Sequence, residues 1–272
     1  IGEAHIENFK NLNGIANAKS EIINNINKNG TLILNRDDKY FKFLSKKARL
    51  KDLNVVSFGK TRKADVHPIT PIKNTQKKEI FFRIDGQVIK LQIKDLNIYN
   101  VLASLALLKV LNLKLNKSVD FFKNSLPSEG RGKIHNVKRY RKNFKLIDES
   151  YNANPLSVRS AIKNFNLIKK RNFKKYLLLG DMLELGKKSE ILHKDLSKVI
   201  NRSDIDKVFV KGPKSLITFK NLKKDKRGNI FQEEEDIDFT LNNIISNNDY
   251  LMIKGSNATG LNSFSKKIIR GY

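Results

Sequence analysis

Tyr176-Leu177-Leu178-Leu179 is a short unbroken apolar run, and it constrains the fold more than any other feature of the chain. A strand with alternating polarity can leave one face in water. A continuous apolar strand must be covered on both faces, as happens inside a parallel sheet flanked by helices. The run ends in Gly180-Asp181-Met182-Leu183-Glu184-Leu185-Gly186, and Ser189-Glu190 then precedes a helical pattern holding His193. Two other segments repeat the design. Phe144 to Ile147 leads into Asp148-Glu149-Ser150-Tyr151-Asn152-Ala153-Asn154-Pro155 and the amphipathic stretch Leu156 to Ile168. Tyr250 to Ile253 leads into Lys254-Gly255-Ser256-Asn257-Ala258-Thr259-Gly260. Repeated strand, polar loop and helix predict an α/β domain whose strands end along one loop-rich edge. Open sheets of this kind bind ligands beyond the carboxyl ends of their strands, and free N–H groups at helix starts favour anions there. Ser150, Asn152 and Asn154 also suit plain turn and cap positions, but together they bring more hydrogen-bonding groups than a turn needs.

At 272 residues the chain is long enough for two domains. Residues 1–126 read as a first unit. It has helical spacing over 8–26, a strand at 31–34, a helix at 39–50 and a strand at 55–58. A hairpin, 80–84 with 88–93, turns at Asp85-Gly86, and a Leu/Ala-rich helix spans 97–113. Ser128-Glu129-Gly130-Arg131-Gly132 marks the boundary, and its two glycines would let it act as a hinge. Residues 127–272 then alternate strands and helices, which predicts a Rossmann-like domain with a mostly parallel sheet. Gly59-Lys60-Thr61 imitates the end of a phosphate-binding P-loop. The pattern needs a glycine where Asn54 stands, and Val55 to Phe58 reads as strand.

Composition narrows the class. The chain has no cysteine, which excludes disulfides and thiolate metal sites and suits a cytosolic protein. No apolar run is long enough to cross a bilayer, and the first residues lack the pattern of a signal peptide. The net charge of +27 suits a nucleic-acid or anionic-membrane partner. It equally suits a compositional bias, since Asn and Ile are also abundant and Lys is scattered throughout. The clusters Lys169-Lys170-Arg171, Lys174-Lys175 and Lys223-Lys224-Asp225-Lys226-Arg227 lack interleaved aromatics and read as solvated surface.

The strings DESYNANP, GDMLELG with a following S-E-x-L-H, and KGS after the last strand resemble the Mur ligases. Among these the likeness is to the enzymes that add D-alanyl-D-alanine to UDP-N-acetylmuramoyl-tripeptide. Gly2-Glu3-Ala4-His5-Ile6-Glu7-Asn8-Phe9 and Ala18-Lys19-Ser20-Glu21-Ile22 are similar to the family's A-H-L-E-G-F and A-K-G-E-I. The resemblance runs nearly end to end. It implies a fragment made of the later part of a central ATP-binding domain, 1–126, and a carboxyl-terminal ligase domain, 127–272. The family's P-loop and its UDP-binding domain would lie upstream, leaving the fragment inactive by itself. Expected cofactors are ATP and Mg²⁺; expected partners are the tripeptide nucleotide and D-alanyl-D-alanine, for a cytoplasmic monomer without membrane insertion.

The same resemblance implies the site. His5 and Lys19 would serve the metal, Lys19 as a carbamate, which calls for a partly buried lysine with a lowered pKa. Asn97 and Asn100 match asparagines near the adenine, although the family histidine is Leu96 here and helix-starting roles suit both. Arg131 matches an arginine that reaches the ATP phosphates, or it bridges domains structurally. Glu149 stands where many relatives have Asp and would face the nucleotide. Asn152 and Asn154 would shape the pocket. Lys254, Ser256 and Asn257 match the K-G-S-R loop facing the peptide substrate, with Asn257 replacing the arginine. Two other readings stand beside this one: a superfamily member that adds a single amino acid or makes folylpolyglutamate, and a basic nucleic-acid-binding module.

Overall fold

The computed structural model describes residues 1–3, 6–69, 78–93, 96–169 and 171–271, with the side chains of 78 and 116–120 left aside. The chain divides into two compact units, Ile1–Gly2 with Phe9–Pro127, and Glu3–Asn8 with Ser128–Tyr272. The segment Glu3–Asn8 therefore groups with the second unit despite its place in the sequence. There Ile6 is buried, and the Glu7 N–H donates to the Glu184 carbonyl at 3.1 Å.

The first unit holds a sheet ordered β1 (Thr31–Asn35), β2 (Asn54–Phe58), β3 (Val66–Pro68), β4 (Lys78–Ile84), β5 (Gln87–Ile93). β1, β2 and β3 are parallel; β3, β4 and β5 are antiparallel. Its helices are α1 (Leu12–Ser20), α2 (Phe41–Arg49), α3 (Ile98–Val110) and α4 (Leu115–Asn124). Ile80, Phe82 and Ile84 are buried at period two while Phe81 is exposed. The ribbon thus turns one face onto Val101, Leu102, Leu105 and Ala106 of α3. Each fully buried Leu there contributes roughly 1.5–3 kcal/mol. The hairpin turns at Asp85 and Gly86, both with positive φ.

Gly59-Lys60-Thr61 is not a phosphate loop. β2 runs directly into it, and the Lys60 and Thr61 amides donate to the Asp37 carboxylate at 2.6 and 3.3 Å. The Tyr99 hydroxyl donates to the same group at 3.2 Å. A side-chain anion from the end of β1 takes the amides that a phosphate would use.

The second unit holds β6 (Lys133–Arg139), β7 (Lys142–Glu149), β8 (Lys175–Gly180), β9 (Lys207–Lys211), β10 (Arg227–Phe231) and β11 (Tyr250–Lys254), in the order β10-β9-β8-β11-β7-β6. Among the described residues of this sheet only the β6–β7 pairing is antiparallel. The helices are α5 (Pro155–Leu167), α6 (Ser189–Asn201), α7 (Ser215–Lys220), α8 (Glu234–Ile244) and α9 (Leu261–Arg270). Every residue of β8 and of β11 is buried, as the continuous apolar runs require. Tyr176, Leu178, Leu251 and Ile253 pack on Ile237 and Leu241 of α8 and on Phe264 and Ile268 of α9. Strand alternation turns Leu177, Leu179 and Met252 to the opposite face, where α5, α6 and α7 lie side by side.

Lys169, Arg171, Lys174, Lys223 and Lys224 are exposed, as a solvated surface requires, but two lysines of the basic clusters depart from that expectation. Lys175 is fully buried, donating to both Asp204 carboxylate oxygens at 2.7 and 2.9 Å and to the Phe165 and Ile168 carbonyls. Lys226 is buried as well, donating to the Ser203 and Ile205 carbonyls at 2.9 and 2.7 Å. Strand β10 begins inside that cluster, at Arg227. Composition counts charges without showing which cations cap loop carbonyls beneath a sheet.

Candidate functional site

The connectivity of the second sheet locates a site. The chain passes from β7 to β8 to β9 to β10, moving outward each time, and then returns to insert β11 between β8 and β7. Helices α5, α6 and α7 follow the outward strands on one face. The return helix α8 and the final helix α9 occupy the other. β11 is therefore flanked on both sides by strands whose following helices lie on the opposite face. Crevices open at such switch points, beyond the carboxyl ends of the strands. The loops lining them are 149–154, 181–186 and 255–260, the three polar segments singled out by sequence.

Asp148 is the buried anchor of the first loop. Its carboxylate accepts from the Ser150 hydroxyl at 2.5 Å, the Ser265 hydroxyl at 2.9 Å and the Gly130 N–H at 2.8 Å. Its carbonyl accepts the Gly132 N–H at 2.7 Å, and Tyr151 N–H donates to the Gly130 carbonyl at 3.1 Å. Gly130 has φ of 70°, and a Cβ there would meet Tyr151 backbone nitrogen at 2.9 Å, so only glycine fits. The Gly130-Arg131-Gly132 turn is thus tied to the end of β7. The tie aims Arg131 outward. Its exposed guanidinium lies over the Tyr151 ring, 4.3 Å from the centroid.

Glu149 and Lys254 sit side by side where β7 and β11 end. The Lys254 Nζ lies 3.2 Å from the Glu149 carboxylate and also donates to the Asn152 carbonyl at 3.1 Å. The lysine side chain is 1% exposed and the glutamate 23%. Burial pushes the Lys254 pKa down, Glu149 works against that, and nearby Arg131 adds to it. Lys254 is therefore committed inside the loop packing, paired with Glu149. A cation at a strand end must be either solvated or paired, and β7 supplies the partner.

Ser256 joins all three loops. Its hydroxyl donates to the Ala153 carbonyl at 3.3 Å and accepts the Leu183 N–H at 3.0 Å, while its own N–H donates to the Asp181 carbonyl at 3.0 Å. Asp181 is buried, and its carboxylate accepts the Ser215 and Lys214 amides at 2.6 and 3.1 Å, ahead of α7. Asn154 caps α5 in a reciprocal box with Ser157, at 2.9 and 3.0 Å. Asn152 and Asn257, in the loops after β7 and β11, are exposed, and the Asn152 Oδ1 accepts the Ala153 N–H at 2.7 Å.

The site residues expected in the first unit are less gathered. Asn97 caps α3, accepting the Tyr99 N–H at 2.9 Å, and Asn100 is exposed one turn on. Lys19 lies in the last turn of α1 and is exposed, without the partial burial that a carbamylated lysine calls for. His5 lies outside the described residues. Among the described residues no cluster of three or more His, Asp or Glu could hold a metal ion. Asp148, Asp181 and His193 are the structural polar residues that sequence reading left without a role. Their signal was a lone polar residue at the end of an apolar run, or on the buried stripe of a helix.

Comparison with known proteins agrees with this architecture. Residues 1–108 match the Mur ligase middle domain, and residues 132–257 match the Mur ligase, glutamate ligase domain. The chain belongs to the Mur ligase family, of which it carries the middle and carboxyl-terminal parts. It is 28% identical over 265 residues to the UDP-N-acetylmuramoyl-tripeptide--D-alanyl-D-alanine ligase of Rickettsia prowazekii, covering 96% of this chain and 58% of that protein. The crystal structure of MurF from Acinetobacter baumannii superposes with a TM-score of 0.81 at 22% identity, over 99% of this chain and 58% of the other. The MurF ligase of Thermotoga maritima, solved in complex with ADP, also gives 0.81 at 21% identity, over 100% and 61%. The chain spans about 58% of the length of the relatives it matches.

Proposed function

We propose that this chain is the carboxyl-terminal portion of a ligase that joins D-alanyl-D-alanine to UDP-N-acetylmuramoyl-tripeptide, converting ATP to ADP and phosphate. The observation that carries the reading is the nearly end-to-end match to relatives of that name. In this reading 1–126 completes an ATP-binding domain and 127–272 is the ligase domain. The tripeptide's terminal carboxylate attacks the γ-phosphorus, forming an acyl phosphate and releasing ADP. The amine of the dipeptide then attacks the acyl carbon, forming the amide and releasing phosphate. Such chemistry needs positioning and neutralisation of phosphate charge.

The residues divide accordingly. Arg131 presents a planar guanidinium, preoriented on Tyr151, suited to phosphate oxygens. Glu149 and Lys254 hold the β7 and β11 ends in register, so their contribution is to the shape of the crevice. The Asn152 and Asn257 amides, exposed in the loops after β7 and β11, are available to a peptide. Asn97 and Asn100 are proposed for the base of the nucleotide, and His5 and Lys19 for the metal, on the resemblance alone.

The test joins this chain to the amino-terminal region of the Rickettsia relative and measures ADP release. Release that requires both the tripeptide nucleotide and D-alanyl-D-alanine supports the proposal. Release with single amino acids or with a folate acceptor would instead favour another member of the superfamily. In the same joined enzyme Lys19→Ala should abolish turnover, with partial rescue by short-chain carboxylates. Wild-type turnover in that variant removes Lys19 from the site.

A further inference from the structure

His193 is fully buried on α6, carries a motif position, and has no part in the chemistry above. Its two ring nitrogens face backbone groups of opposite kind. Nδ1 lies 2.7 Å from the Ser189 carbonyl, one turn earlier in the helix, and Nε2 lies 3.1 Å from the Met182 nitrogen. A carbonyl can only accept and a backbone N–H can only donate. The ring must therefore carry its proton on Nδ1 and leave Nε2 bare. A second proton would set two donors against each other at Met182.

The Met182 N–H opens the loop after β8, and its neighbours extend the connection. The Leu183 N–H donates to the Ser256 hydroxyl, which reaches the Ala153 carbonyl. The Thr218 hydroxyl donates to the His193 carbonyl at 2.7 Å, pinning α6 to α7, and the Asp181 carboxylate holds the amides before α7. One imidazole thus secures the start of a path running from α6 through the loops after β8 and β11 to the loop after β7. We propose that His193, in its Nδ1–H form, is a positioning residue that locks these three loops into one wall of the switch-point crevice.

The chain has four histidines, so selective ¹⁵N-histidine labelling gives a simple spectrum. Two-bond ¹H–¹⁵N correlations should show His193 protonated at Nδ1 and bare at Nε2. An Nε2–H ring would overturn the proposal. Amide hydrogen exchange adds a second readout. His193→Leu should speed exchange at Met182 and Leu183 at least tenfold while Leu177 to Leu179 stay protected; His193→Gln, whose side-chain oxygen can accept, should restore part of the protection. Ser256→Ala should speed Leu183 and spare Met182. Unchanged exchange at Met182 in folded His193→Leu would refute the lock, and if that variant does not fold, the wild-type ring proton and Ser256→Ala still decide. In the joined enzyme, if the proposed function holds and this crevice seats the dipeptide, the lock predicts a raised KM for D-alanyl-D-alanine in His193→Leu that His193→Gln partly reverses. If the ring proton and exchange behave as expected but KM does not move, the lock stands and the assignment of this crevice to the dipeptide fails.

Discussion

Glu149→Gln isolates the electrostatics at the end of β7. The carboxylate lies 3.2 Å from a Lys254 ammonium whose side chain is 1% exposed. At an effective dielectric of about 20 the gross attraction at that distance is about 5 kcal/mol. Three features reduce the net loss. The glutamine oxygen can still accept, the Asn152 and Glu149 carbonyls remain 3.1 and 3.4 Å from Nζ, and the glutamate, 23% exposed, is already partly screened by water. One feature increases it, since Lys254 would then face the like charge of Arg131 without compensation. Breaking a buried pair from one side typically costs about 3–5 kcal/mol, and the retained acceptors place Glu149→Gln at about 2–3 kcal/mol. Lys254→Met leaves a carboxylate that water can reach and should cost about 1 kcal/mol. The double variant should cost no more than Lys254→Met, giving a coupling of about 2–3 kcal/mol. Urea unfolding by circular dichroism measures stability, and native-state hydrogen exchange in β7 and β11 reads the second unit by itself. A cost under about 0.5 kcal/mol for Glu149→Gln, or strict additivity in the cycle, would show that Lys254 is not held by its partner.

Burial holds the His193 pKa below its usual value. As pH falls below about 6.5 the unfolded chain takes up a proton that the folded site refuses, so stability falls by up to about 1.4 kcal/mol per pH unit until the folded pKa is passed. His193→Gln should flatten that part of the stability profile measured by urea unfolding between pH 7 and pH 5. Gly212→Ala should cost about 3 kcal/mol by the same assay: Gly212 has φ of 119°, and the added Cβ would fall 2.4 Å from an Asp181 carboxylate oxygen. Asn154→Ala removes the α5 cap and should cost about 1 kcal/mol. In the joined enzyme, a loss of turnover well beyond that change would show Asn154 acting on substrate as well.

The strand ends of the second unit were legible because burial on both faces leaves a plain trace in sequence. Four consecutive apolar residues at Tyr176 or Tyr250, stopped by glycine and polar groups, have few other uses. The hairpin at Asp85-Gly86 and the cap at Asn154 were legible for a similar reason, since their conformations restrict residue type locally. Two short strands escaped notice. β3 is only three residues long, and β10 opens on Arg227-Gly228 within a run of charge, so neither carries a hydrophobic period. The linear chain also could not show that Glu3–Asn8 groups with residues from 128 onward.

What the sequence by itself determined is the type and order of the main elements and the three loops that make the candidate site, because local backbone preference and apolar period are properties of neighbouring residues. Which polar groups those loops spend on each other was decided by the tertiary structure. Lys254 reads as a lone cation until β7 places Glu149 beside it, and Lys175 as surface until Asp204 closes over it. His193 reads as one more helical residue until the loop after β8 brings it the Met182 N–H. Burial and pairing of a charge depend on residues distant in the chain, and only the folded chain brings those residues together.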